Sequence, residues 1–149
     1  MIVETLNITH AQKCADIAQR LFKFPWSESQ FADHLEHKNQ NLGLFDLDKN
    51  LVGFCLFLKQ YDECEILDLG IDLSYQQKGN AQILLNSLFE ICRKEDYTQI
   101  SLEVDATNSV AIALYIKNDF AQVGYRKEYY RDGHDAILMT KTLHSESHL

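Results

Sequence analysis

Proline is almost missing from this chain. The one residue, Pro25, falls in a short break between two helical patterns, and no linker, repeat or low-complexity tract divides the sequence. Cysteine is scarce and unpaired in pattern: Cys14, Cys55, Cys64 and Cys92 form no CxxC motif and no dense framework. Reduced thiols packed in a core are the expected state. The six histidines make no metal motif. His34 and His37 share a helical face but have no second ligand pair, so they read as a solvated face and no metal is expected. No apolar run approaches a membrane span. Met1-Ile2-Val3-Glu4 lacks the basic start and apolar stretch of a signal peptide, so the cytosol is the expected location. Positive charge is also short. The net charge of −8 argues against direct nucleic-acid binding through a basic surface and suits a basic partner such as a positively charged peptide.

What is present fits a single domain, residues 1–149, with a core large enough to fold alone. Hydrophobic content of 46% with 24% charged residues is ordinary for a globular chain. Ile2 to Thr5 reads as a strand. Thr9 to Gln12 has capping-box spacing before an apolar set at helical intervals, Ala15, Ile17, Ala18, Leu21 and Phe22. Ser27 to Gln30 is a second such box, with Phe31 and Leu35 on one face of the helix it opens. Trp26, beside Pro25, reads as a core anchor. A strand around Leu42–Phe45, a turn at Asp48–Asn50 and a strand at Leu51–Leu58 read as a hairpin. Cys64–Asp72 is a strand, Ala81–Lys94 a helix, Thr98–Val104 a strand and Ser109–Asn118 a short helix. Phe120–Tyr130 and Ala136–Thr142 are strands around a turn at Arg131–His134. Residues 143–149 are a polar tail expected to fray. The order β-α-α-β-β-β-α-β-α-β-β predicts an α/β (α+β) fold, with a mixed central sheet of about seven strands and helices on both faces. Glu65–Val104 forms a strand–helix–strand unit with parallel ends.

Chemistry concentrates first at Gln76-Gln77-Lys78-Gly79-Asn80-Ala81. A strand, a loop with one glycine and a helix start together form an anion cradle. The first-turn amides lack intrahelical partners, and the helix dipole adds partial positive charge. Gly79 permits close approach of a phosphate. The Gln-x-x-Gly-x-Ala spacing resembles the pyrophosphate loop of the GNAT N-acetyltransferases, which bind acetyl-CoA.

A second block strengthens the resemblance. Ser101-Leu102-Glu103-Val104, Asn108, Ala111-Ile112-Ala113-Leu114-Tyr115 and the closing pair Asp119-Phe120 are similar to the other half of the GNAT signature. Asp119 stands where the family usually has glycine. Within the superfamily the chain resembles the RimI type, the ribosomal-protein-alanine N-acetyltransferases. Pro25-Trp26-Ser27, Glu65-Ile66-Leu67, Lys127-Glu128-Tyr129-Tyr130 and Asp135 to Met139 also carry that likeness, which covers nearly the whole chain.

The resemblance implies roles. Leu69, Gly70 and Ile71 match the strand whose backbone meets the acetyl and pantetheine end of acetyl-CoA. Gln77, Lys78, Gly79, Asn80, Ala81 and Gln82 match the pyrophosphate loop, although the family commonly has arginines there. Asn108 matches a further contact to acetyl-CoA. Glu103 matches the general base and Tyr115 the general acid. The implied acceptor is a protein N-terminus, the alanine of a basic small-subunit ribosomal protein. A lysine side chain, a polyamine or another small amine remains an alternative acceptor, and a CoA-binding module without turnover a further alternative. Tyr129 and Tyr130 read equally as a peptide groove or as packing on an exposed strand. Asp62, Glu63, Glu65 and Asp68 read as a solvated hairpin end, with contact to a basic substrate as the alternative.

Overall fold

The computed structural model describes residues 1–37 and 40–143. Eleven regular elements follow the expected order: β1 Ile2–Thr5, α1 Ala11–Leu21, α2 Glu28–His37, β2 Leu42–Phe45, β3 Leu51–Gln60, β4 Glu63–Ile71, α3 Asn80–Lys94, β5 Gln99–Asp105, α4 Ser109–Lys117, β6 Ala121–Arg126 and β7 Ala136–Thr142. The strands form a seven-stranded mixed sheet in the order β1-β2-β3-β4-β5-β7-β6. The chain falls into two compact units, Met1–Phe57 with Asp68–Glu90, and Leu58–Leu67 with Ile91–Leu149. No helix among the described residues is long and apolar enough to cross a membrane.

In the first unit, β1 pairs antiparallel with β2, and β2 with β3. The hairpin turn is built by Asp46, whose Oδ1 accepts from the amides of Asp48 and Asn50, both at 2.9 Å. β3 is buried along Leu51–Phe57 without alternation, the mark of a central strand covered on both faces. The capping box that opens α2 is present: Ser27 N–H donates to Gln30 Oε1 at 2.9 Å, and Gln30 N–H to Ser27 Oγ at 3.2 Å. The box expected at Thr9–Gln12 lies elsewhere. Asn7 Oδ1 accepts from Thr9 N–H, and His10 Nδ1 accepts from Asn7 N–H at 3.0 Å. That box opens a 3-10 turn at Ile8–His10, and α1 starts only at Ala11. Asn is as good a cap as Thr, and it comes two residues earlier.

His34 departs from the solvated face expected of it. Its Nε2 lies 3.0 Å from Asn41 Oδ1, and its ring packs edge-on to Trp26 at 5.9 Å. Trp26 also meets Phe31 at 5.4 Å; it is itself half-buried and packs against the core rather than within it. Asn41 is the residue the sequence hid. It is fully buried, its Oδ1 also accepts from Phe57 N–H at 2.9 Å, and its carbonyl accepts from Leu6 N–H at 2.7 Å. Asn41→Ala strands the buried Phe57 amide. It is expected to cost about 2–4 kcal/mol and to lower the thermal midpoint by roughly 5–15 °C, read by calorimetry.

In the second unit, β5 pairs antiparallel with β7, and β7 with β6. β5 alternates, with Ile100, Leu102 and Val104 buried and Ser101, Glu103 and Asp105 half-buried, as a half-covered strand does. β6 ends at Arg126, four residues before the expected limit. Glu128 adopts φ 49°, which leaves the strand region, and its N–H donates to Asp135 Oδ1 at 2.9 Å. Side-chain capping replaces the ladder there. Of the expected polar tail, Leu143 still donates its N–H to Thr98 O at 2.9 Å. The remainder, residues 144–149, lies outside the described residues.

All four cysteines are buried and none forms a disulfide among the described residues, as their pattern predicted. Burial, with the negative charge of Asp68 adding to it, pushes the Cys14 thiol up to about 12.

Candidate active site

The loop after β4 is braced by its own side chains. Gln76 Nε2 donates to Ile71 O at 2.9 Å, and Asn80 Nδ2 donates to Tyr75 O at 2.8 Å. These two bonds fold the chain back between strand and helix. Gln77 at φ 59° and Gly79 at φ 80° both take left-handed backbone, a local alternation that turns successive amides toward one side. Gly79 O accepts from Ile83 N–H at 3.3 Å, so the amides of Asn80, Ala81 and Gln82 belong to the open first turn of α3. A Cβ built on Gly79 meets nothing within 4 Å. The loop therefore has room at its glycine for a phosphate, next to the first-turn amides of α3. Lys78 is exposed; its Nζ donates to Ser74 O at 3.1 Å and sits 6.0 Å from the Tyr75 ring. Gln76 carries the scaffold of this loop, which the motif match did not reveal.

β4 itself has a feature that alternation alone did not disclose. Its parallel ladder with β5 runs from Glu63↔Gln99 to Ile66↔Leu102, yet β4 continues to Ile71. Leu69, Gly70 and Ile71 lie in this continuation. Gly70 is closely packed: an added Cβ would stand 2.9 Å from Phe54 Cζ and 3.1 Å from Leu21 Cδ1. Asp68 does not belong to a solvated hairpin end. Burial pushes its carboxyl up to about 7, with only the Leu69 N–H working the other way. A raised carboxyl pKa makes the fold lose stability as pH rises through the window between about 3.9 and 7. Asp68→Asn should flatten that part of the stability profile, measured by denaturant titration across pH.

In the second unit, Glu103 is 22% exposed at its side chain, and its Oε1 lies 3.2 Å from Arg126 Nε. In the strand register Ala136 stands between Asp105 and Arg126, and Leu138 stands opposite Glu103, so the Arg126–Glu103 pair is diagonal across β7. The Tyr129 hydroxyl also bonds Glu103. That charge and that bond push the Tyr129 phenol above its ordinary value. Tyr129 lies under the Arg126 guanidinium at 5.5 Å and edge-on to Tyr130 at 5.2 Å. Tyr130 is pushed up to about 12, by burial first and then by the charges of Asp105 and Glu103. The structure thus gathers Glu103, Arg126, Tyr129 and Tyr130 into one group, of which sequence reading had singled out all but Arg126.

Asp105, the neighbouring carboxylate on the same face, is differently placed. Burial works to raise its pKa, but hydrogen bonds from Thr107 N–H, His134 and the Thr107 hydroxyl together hold it below the ordinary carboxylate value. A carboxylate so stabilised is a poor proton acceptor. Asp105, Asp132 and His134 bring ligand-type atoms within 4.8 Å of one another, a group of kinds that could hold a metal ion.

Tyr115 is buried on α4, and its ring meets Phe120 edge-on at 5.4 Å. Asn108 caps α4 through its Oδ1, which accepts from Ala111 N–H at 3.1 Å. Asp119 has φ 69°, which is the backbone that glycine serves after a helix. Its exposed carboxylate stands 3.9 Å from Lys141 Nζ.

Residues 11–120 match the model of the Acetyltransferase (GNAT) family. The chain is 33% identical over 140 residues to the [ribosomal protein bS18]-alanine N-acetyltransferase of Escherichia coli K12, covering 92% of this chain and 94% of that protein. The crystal structure of the ribosomal-protein-S18-alanine N-acetyltransferase from Escherichia coli superposes with a TM-score of 0.89 at 31% identity, covering 97% of this chain and 96% of that one. The fold is shared with Arabidopsis thaliana NAA60 in complex with acetyl-CoA, at a TM-score of 0.81 and 18% identity, over 95% of this chain and 99% of that one.

Proposed function

The chain belongs to the GNAT acetyltransferase family, and we propose that it transfers acetyl from acetyl-CoA to the N-terminal alanine of a small-subunit ribosomal protein. The observation that carries this reading is Glu103. It is a half-buried carboxylate on β5 next to two tyrosines of the connection between β6 and β7. A base beside an aromatic wall suits an extended peptide end. The acceptor named for the Escherichia coli relative, alanine of protein bS18, supplies the substrate class. Exposed Asp62 and Glu63, and the net charge of −8, favour the approach of a basic chain.

Acetyl-CoA supplies an activated acetyl thioester, whose carbon–sulfur bond breaks as the amine nitrogen bonds the carbonyl carbon. The amides of Gln77, Lys78, Gly79, Asn80, Ala81 and Gln82 hold the pyrophosphate, with Lys78 as the one side-chain cation of that stretch. The backbone of Leu69, Gly70 and Ile71, beyond the end of the β4–β5 ladder, bonds the pantetheine amides. Asn108 adds its amide Nδ2, since its oxygen is committed to the helix cap. Glu103 takes the proton that the amine must lose. An α-amine titrates near 7.7–8.0 against about 10.4 for lysine, so its deprotonation is easier by roughly 3.5 kcal/mol. Tyr115 gives its phenolic proton to the departing sulfur. Tyr129 and Tyr130 line the acceptor's path.

Tyr115→Phe keeps the ring against Phe120 and removes only the hydroxyl. Turnover should fall by about 10² with little change in melting temperature. The defect should persist at high pH, because the missing proton is on the acid side. Transfer assays across pH, with CoA release as the signal, check this, and a Phe variant with normal turnover would leave Tyr115 a packed residue.

A further inference from the structure

Asp105 follows Glu103 on the same face of β5, yet it has no place in the transfer chemistry. Both carboxylates grip the connection between β6 and β7, residues 127–135. On the Glu103 side the grip is the Tyr129 hydroxyl, with Arg126 at the end of β6 beside it. On the Asp105 side it is His134, whose Nδ1 lies 2.9 Å from Asp105 Oδ2 and 3.3 Å from Asp132 Oδ2. Asp105 is itself immobilised, since its Oδ1 accepts from Thr107 N–H at 2.9 Å and from the Thr107 hydroxyl at 2.8 Å. His134 in turn is joined to Tyr130: Tyr130 N–H donates to His134 O at 3.1 Å, and Gly133 N–H donates to Tyr130 O at 2.9 Å. A tight turn with Gly133 at φ 84° separates the two. What holds His134 therefore holds Tyr130, and Tyr129 packed against it.

We propose that Asp105, Asp132 and His134 form a clasp that positions Tyr129 and Tyr130 for the acceptor peptide. His134 is then a specificity-determining positioning residue, acting through the tyrosines. The inference rests on the proposed function in taking those tyrosines as the acceptor's wall. The physical reason for the clasp is the backbone of the connection. It has two left-handed residues, Glu128 and Gly133, and is not part of a ladder. A segment of that kind is ordered by side-chain bonds, and a carboxylate–imidazole pair supplies strong ones. Without the clasp, the peptide itself must order the connection on binding, which weakens acceptor affinity and leaves the chemical step alone.

The test uses the full chain. His134→Ala should raise the KM for a peptide with a free N-terminal alanine by about tenfold, with kcat and the acetyl-CoA KM nearly unchanged. His134→Asn places an amide nitrogen where the imidazole Nδ1 stood and should restore most of the affinity. Hydrogen exchange over residues 127–135 should speed up in the Ala variant, stay slow in the Asn variant, and be unaltered in the β5–β7 ladder in both. Unchanged peptide KM and exchange in His134→Ala would overturn the clasp, as would an equal loss in kcat and in both KM values. A chelator that reproduces the Ala effect in the parent protein would assign the cluster to a metal ion and overturn it too. If the parent protein transfers no acetyl to the peptide, the proposed function fails. Hydrogen exchange then decides the clasp by itself: faster exchange in the Ala variant alone supports it, and unchanged exchange overturns it.

Discussion

Replacing Glu103 with glutamine is expected to lower turnover by roughly 10²–10⁴ at neutral pH, the scale of general base catalysis. Glutamine keeps the size of the side chain and can still meet Arg126 and Tyr129, so acetyl-CoA affinity and fold should hold. The loss should shrink as pH rises above about 8, where the acceptor α-amine is already neutral. Steady-state rates across pH on a free N-terminal alanine peptide check both parts. Near-normal turnover at neutral pH would remove Glu103 from the chemistry. Asp105 would be an unpromising successor, because Thr107 and His134 already hold its carboxylate in the ionised form.

Gly79→Trp is expected to weaken acetyl-CoA binding by about a thousandfold, the equivalent of losing two hydrogen bonds to charged phosphate oxygens. Among the described residues, its chain neighbours aside, nothing lies within 4 Å of the position a Cβ would take, so the indole extends into the space the pyrophosphate needs. The left-handed φ of 80° costs a non-glycine residue about 1–2 kcal/mol, which a domain of this size tolerates. Gly79→Ala carries the same backbone strain without the bulk, and it should retain most of the affinity. Calorimetric titration distinguishes the two. Unchanged affinity in a folded Trp variant would take the loop out of the cradle role.

Helical and strand periods made the element order legible, because each element here has one consistent face. Leu84, Leu85, Leu88 and Cys92 of α3, for example, are all buried as their spacing predicts. Boundaries failed where side chains overrode the backbone pattern. Asn7 moved the first cap, and the Asp135 carboxylate ended β6 early by capping Glu128. Neither event has a periodicity to read. Asp119 shows the opposite case: a missing family glycine marked the spot where the backbone is left-handed. In the candidate site, Glu103, Tyr115 and the Gly79 loop were visible through motif spacing. Arg126 and His134 were not, nor was Asn41 in the core of the first unit, since their partners are 23, 29 and 16 residues away in sequence. Asp68 was misread for a different reason, its burial. A charge in a strand carries no sequence mark of being buried.

The most direct measurement is CoA release from acetyl-CoA with two versions of one basic peptide starting with alanine, one with a free N-terminus and one N-blocked. Release is expected with the free peptide, none above background with the blocked one, and mass addition confined to the α-amine. Equal transfer to the blocked peptide would shift the acceptor to lysine side chains. No release with either peptide, in a protein that binds acetyl-CoA, would contradict an N-terminal acetyltransferase and leave a binding module.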